Sequence, residues 1–129
     1  MTAAAFALFF ALAQAPDGGT PGPADGGAPD GAALFLKYGC VGCHPLDGSK
    51  GTGPALRGLL GTTVALQGGA TVVADEAYLR ESIRKPGAKV VAGYLPLMPF
   101  FGALLSPAEL DALVEFVRSL PPLGADAGR

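Results

Sequence analysis

Cys40-Val41-Gly42-Cys43-His44 holds both cysteines and the only histidine of the chain. On a short helix this spacing lets two thiols add across the vinyl groups of a haem while the following imidazole swings under the iron. The same residues have rival readings. A CxxC pair also serves dithiol redox chemistry or half of a zinc site, but a structural zinc takes about four protein ligands, and the chain offers three Cys and His donors. A thioredoxin-like pair sits in a βαβ setting, whereas Leu34 to Tyr38 read as helix and no βαβ pattern surrounds the motif. The expectation is therefore one haem c, held covalently by Cys40 and Cys43, with His44 as a ligand of its iron.

The 129 residues are enough for one small domain with appendages. Residues 1–15 read as a signal peptide: an uncharged apolar run from Thr2 to Ala13 is followed by Ala13-Gln14-Ala15, which fits the small-residue rule for cleavage, so that the mature chain starts at Pro16. No lysine or arginine precedes the run, and an uncleaved membrane anchor is the alternative, although a span needs about 20 apolar residues. Either way the expected location is exported, periplasmic or anchored facing the periplasm. In an oxidising compartment two free cysteines tend toward a disulfide, so thioethers to a haem explain the pair better. Pro16 to Pro29 are almost wholly Asp, Gly, Pro, Thr and Ala, a composition that cannot offset ordering entropy and reads as a disordered linker. Residues 121–129 resemble it and read as a flexible tail. The domain is thus expected over residues 30–120, small for an independent core, with the haem as its missing apolar centre. A formal net charge of −2 gives no reason to expect nucleic acid.

Within the domain the pattern is mostly α. Asp30 is a good N-cap for a first helix carrying Leu34, Phe35 and Tyr38 on helical spacing, with Gly39 opening the turn into the CxxCH element. Pro45 to Leu60 read as loop. Thr62 to Leu66 and Thr71 to Val73 flank Gly68-Gly69, a signal for a small peripheral β-hairpin. Asp75 caps a helix to Lys85 with Leu79 and Ile83 on one face, Pro86 as its stop, and the pairs Glu76/Arg80 and Glu81/Lys85 in favourable i,i+4 order. Ser106-Pro107-Ala108-Glu109 is a capping box with proline at the first helical position, followed by the stripe Leu110, Leu113, Val114, Val117 and Leu120. This last helix is expected to pack on the first.

A haem held by His44 has one open axial site, and its occupant decides between electron carriage and ligand chemistry. Met1 lies in the expected signal, which leaves Met98 as the thioether of the mature chain, in Tyr94-Leu95-Pro96-Leu97-Met98-Pro99-Phe100. A methionine in an apolar stretch is ordinarily core filler. Here it is the one soft donor available to the distal side, with lysine or water as the other options.

With CxxCH, Gly53-Pro54-Ala55-Leu56 and a Met-Pro loop before a final helix, the sequence from Leu34 to Leu120 resembles class I c-type cytochromes. More narrowly, Asp75 to Ile83, Pro86 to Tyr94 and Met98-Pro99 look like the cytochrome c domain fused to subunit II of caa3-type cytochrome oxidases. The resemblance implies a class I cytochrome c fold, helices wrapped around one covalent haem. It also implies His44 and Met98 as axial ligands and the Pro54 carbonyl as hydrogen-bond acceptor of the His44 ring, fixing its tautomer. The 129 residues hold no further apolar run of about 20 and no Cys/His/Met cluster for copper, so the likeness is to the cytochrome domain alone.

Arg57 and Tyr94, with Tyr38 and Lys89, are candidates for partnering haem propionates, whose charge is costly to bury alone. Arg80, Arg84, Lys85 and Lys89 read as a solvated helix face rather than a docking patch. The functional expectation is an exported mono-haem electron carrier, not an enzyme, passing electrons toward a terminal oxidase, with redox proteins as donor and acceptor. Val41, Gly42, Leu97 and Phe100 are expected to flank the haem edge. Rival readings are a haem sensor or haem enzyme with a displaceable Met98, and a dithiol oxidoreductase without haem; against a haem enzyme, no second histidine is present to move a proton.

Overall fold

The computed structural model describes residues 27–124. The expected signal peptide, most of the expected linker and the last five residues of the chain lie outside them. Three helices, α1 (Gly31–Lys37), α2 (Glu76–Arg84) and α3 (Pro107–Ser119), are joined by long loops, with β1 (Thr63–Ala65) and β2 (Thr71–Val73) as an antiparallel pair.

Each helix starts where its capping chemistry is strongest. Asp30 accepts from the N–H groups of Ala32 and Ala33, and Asp75 accepts from that of Tyr78. Ser106 and Glu109 form the full reciprocal capping box, with Pro107 in the first turn. α1 ends at Tyr38 because Gly39 takes φ 73°, a conformation glycine alone adopts without penalty. α2 ends one residue earlier than its spacing suggests: Lys85, just before Pro86, is already non-helical at φ −137°, ψ 67°. Of the two expected ion pairs along α2, Glu76 does pair with Arg80, at 2.8 Å. Glu81 does not take Lys85, which has left the helical row, and pairs instead with Lys89 from the following loop.

α3 is the spine of the core. Its first face buries Leu113 against Leu34 and Phe35 of α1, and the rings of Phe35 and Phe116 meet at 5.2 Å in a tilted pair. Gly31 permits this crossing, since a Cβ there would collide with the Ala112 carbonyl and stand 2.7 Å from Phe116 Cβ. Its second face places Leu110, Val114 and Val117 with Tyr78 and Leu79 of α2 and with Val64 and Ala74 of the hairpin. The hairpin is small, turned by Gly68 and Gly69 at φ 87° and 92°, but its inner face is core. It also anchors the chain beyond α2, through Gln67 N–H to the Val90 carbonyl at 2.8 Å and Ala92 N–H to the Ala65 carbonyl at 2.9 Å. Residues 121–123, expected as tail, lie against the loop before β1: Arg57 Nε donates to the Pro121 carbonyl at 3.1 Å, Gly58 abuts Pro122, and Gly48 abuts Leu123.

Leu113 packs on Leu34 and Phe35 of α1, lines the space between the helices and is 3 % exposed. Leu113→Ala is expected to destabilise the loaded protein by about 2–5 kcal/mol, read from denaturant unfolding followed at a helical signal.

Candidate functional site

The interior between the helices is not closed by the protein's own side chains. Among the described residues no large side chain is completely buried. Phe35, Leu79, Phe101, Leu113 and Val117 instead wall an apolar cavity.

The CxxCH element forms one edge of it. After Gly39, a single 3-10 turn spans Cys40–Gly42, and the Cys40 carbonyl accepts from the N–H of both Cys43, at 3.2 Å, and His44, at 2.9 Å. The turn is tight enough that both thiols and the imidazole line the same cavity. Both cysteines are half-buried and are not joined in a disulfide. Burial pushes the Cys40 thiol up from its ordinary value, whereas a reactive dithiol pair depends on a lowered one.

His44 is 9 % exposed, the one buried polar side chain of the described core. Its Nδ1 lies 2.7 Å from the Pro54 carbonyl oxygen. A carbonyl only accepts, so the ring proton sits on Nδ1 and the lone pair is left on Nε2, the atom a metal needs. The loop supplying Pro54 is held by Gly53 N–H to the Cys43 carbonyl at 2.8 Å. Gly53 packs so closely under the imidazole that a Cβ there would stand 2.8 Å from each ring nitrogen. The resemblance already implies the Pro54 carbonyl as the acceptor of the His44 ring, whereas the role of Gly53 as a seat for the ring shows only in space.

Met98 is half-buried and lines the same cavity. Its loop is secured by Tyr94 N–H to the Val91 carbonyl at 3.1 Å and by Gln67 Nε2 to the Tyr94 carbonyl at 2.7 Å. Tyr38, Lys89 and Tyr94 are also in the cavity wall, whereas Arg57 is not. The Arg57 guanidinium reaches the carbonyls of Leu46 and Pro121 in the loop framework. Leu95, Leu97, Phe100 and Leu104 stand out into solvent at 58–70 % exposure beside this opening, and no charged residue occurs from Val90 to Ala108.

Tyr38 is set by Glu109, whose carboxylate accepts from its hydroxyl at 3.1 Å, from Lys37 Nζ at 3.4 Å and from the Ser106 N–H at 3.0 Å. The Ser106 N–H first, and Tyr38 next, pull the Glu109 carboxyl down from 4.5 to about 2. A carboxyl depressed on folding stabilises the fold fully above its unfolded value, and that contribution disappears as pH falls through the folded one. The difference in Tm between the wild type and Glu109→Gln is therefore expected to narrow as pH is lowered from 4.5 to about 2.

An apolar cavity edged by two thiols, a histidine with a fixed tautomer and a thioether suits a flat, apolar, iron-bearing macrocycle. The family model for cytochrome c matches residues 28–121. The chain belongs to the cytochrome c family, as a class I c-type cytochrome. Its domain binds a covalently attached haem c and works as a haem-based electron carrier, with redox proteins as partners. Comparison with curated proteins found no match.

Proposed function

We propose that the chain is an exported mono-haem carrier that passes single electrons along a respiratory chain toward a terminal oxidase. In this reading Cys40 and Cys43 hold the haem by thioethers and His44 and Met98 are its axial ligands. The convergence of these four side chains on one apolar cavity, with His44 Nδ1 committed to Pro54, carries the reading. The haem supplies an iron that cycles between ferric and ferrous.

The protein's part is to hold both axial donors in place in either state, so that little reorganises on transfer. As a ligand of that iron, the Met98 thioether would favour the ferrous form and raise the potential. Tyr94, Tyr38 and Lys89 remain the wall residues able to partner propionates. The oxidase as acceptor rests on the resemblance to the oxidase-linked domain, and export rests on the apolar run of residues 2–13. Among the described residues no helix is long and apolar enough to cross a membrane.

The test is the visible spectrum of haem-matured protein when oxidised, reduced, and reduced under carbon monoxide. A low-spin c-type spectrum indifferent to carbon monoxide is expected. Rapid carbon monoxide binding would instead favour a sensor or haem enzyme, and absence of haem a dithiol protein. Val41, within the motif, is 38 % exposed, and Val41→Lys is expected to slow electron transfer to redox partners by roughly tenfold through a desolvated charge in a small apolar interface. Stopped-flow rates unchanged for every partner would remove Val41 from the docking face.

A further inference from the structure

The loop that holds His44 is itself held by the chain leaving α3. Residues 45–60 form no helix or strand, so their shape depends on what they are tied to. In the cavity wall, Gly53 N–H reaches the Cys43 carbonyl at 2.8 Å, and the Pro54 carbonyl takes His44 Nδ1 at 2.7 Å. Outside that wall, residues 120–123 lie along the same loop. Gly58 N–H donates to the Leu120 carbonyl at 3.2 Å. A Cβ on Gly58 would stand 3.0 Å from Pro122 Cα, and one on Gly48 would stand 2.9 Å from each δ carbon of Leu123.

Arg57 joins three stretches of chain. Its Nε donates to the Pro121 carbonyl at 3.1 Å and its Nη1 to the Leu46 carbonyl at 3.4 Å, while its own backbone lies three residues beyond Pro54. Leu46 follows His44 by two residues and packs on the core of α1 and α3. A guanidinium presents its donors in a fixed planar fork, which suits holding two carbonyls at once. Ordering exposed residues beyond a helix costs conformational entropy. Pro121 and Pro122 lower that cost, because their rings fix φ before the chain docks.

We infer that Arg57 and residues 120–123 form a strap that positions His44, by keeping the loop at the distance the Pro54 carbonyl needs to hold the ring. The inference rests on His44 being an axial ligand of the haem iron. A hydrogen bond from Nδ1 raises the basicity of the ligating nitrogen, which favours ferric iron. A slack loop weakens that bond and shifts the balance toward the reduced form.

The experiment compares haem-matured, full-length wild type with Arg57→Lys and Pro122→Gly. Lysine keeps the charge and loses the fork; glycine frees the backbone and alters no charge. Neither position belongs to the cavity wall, so a change at the iron has to arrive through the loop. The readouts are solvent exchange of the His44 Nδ1 proton, followed by NMR in the reduced protein, and the oxidised-to-reduced ratio at fixed solution potential. Both variants are expected to exchange roughly fivefold faster, the equivalent of one hydrogen bond, and to move the ratio toward the reduced form by about twofold. Either readout unmoved or moved the other way in either variant, including a loss of thermal stability alone, overturns the inference. A wild type without a low-spin c-type spectrum overturns the His44 reading itself.

Discussion

Met98→Leu is expected to yield a folded, red protein whose reduced iron binds carbon monoxide quickly, where the wild type does not. Leucine and methionine have nearly the same volume, and such a swap in an apolar site costs under about 1.5 kcal/mol. If Met98 only filled the cavity, the exchange would therefore pass almost unnoticed. As an axial ligand it cannot be replaced by a hydrocarbon, and the distal side of the iron is left open. On the proposed reading, thioethers through Cys40 and Cys43 would keep the haem in place, and His44, held at 2.7 Å from the Pro54 carbonyl, would stay where it is. The potential should fall by on the order of tenths of a volt, the scale on which axial ligands act. Equilibrium redox titration and carbon monoxide flash kinetics on the same sample check both parts. A Met98→Leu protein with wild-type potential and no carbon monoxide binding would leave the sulfur as packing.

The legible parts of this chain are those whose causes are local. The capping box of Ser106 and Glu109 fixes the start of α3 within four residues of sequence, and Asp30 and Asp75 do the same for α1 and α2. The CxxCH spacing likewise states its chemistry in five residues, and Gly68-Gly69 places the hairpin turn. What the sequence hides are contacts between segments far apart. Gly31 reads as an unremarkable helix start, yet α1 and α3 can approach only because it has no side chain to meet Ala112. Lys85 fits an i,i+4 pair on paper, but Pro86 has already turned the backbone out of the helix, and Glu81 finds Lys89 instead. Arg57 reads only as a surface cation in its local sequence, yet in space it ties residues 46 and 121 together through their carbonyls.

Gly53→Ala is expected to damage the haem site more than a single added methyl ordinarily does. The substitution strains no dihedral angle, since Gly53 is not among the residues with positive φ. The difficulty is space: the new Cβ would stand 2.8 Å from both nitrogens of the His44 ring, closer than carbon and nitrogen tolerate. Neither side can yield freely. The ring is buried and tied to the Pro54 carbonyl, and the Gly53 backbone is tied to the Cys43 carbonyl at 2.8 Å. Overpacking of this kind costs roughly 1–3 kcal/mol, and displacing the ring forfeits the His44 hydrogen bond for about 1 kcal/mol more. Because that bond also leaves Nε2 as the ring nitrogen with a free lone pair, the one that would take the iron on the proposed reading, the loss should appear as poor haem incorporation and a weakened low-spin spectrum, beyond a lower Tm. Gly87→Ala is the matched control: Gly87 has ordinary backbone angles and open space around its Cβ direction, so its effect should stay within about 0.5 kcal/mol. Equal haem yield and equal melting for the two variants would mean that the imidazole does not rest on Gly53. The route from loop to histidine to iron would then have to run through Pro54 alone.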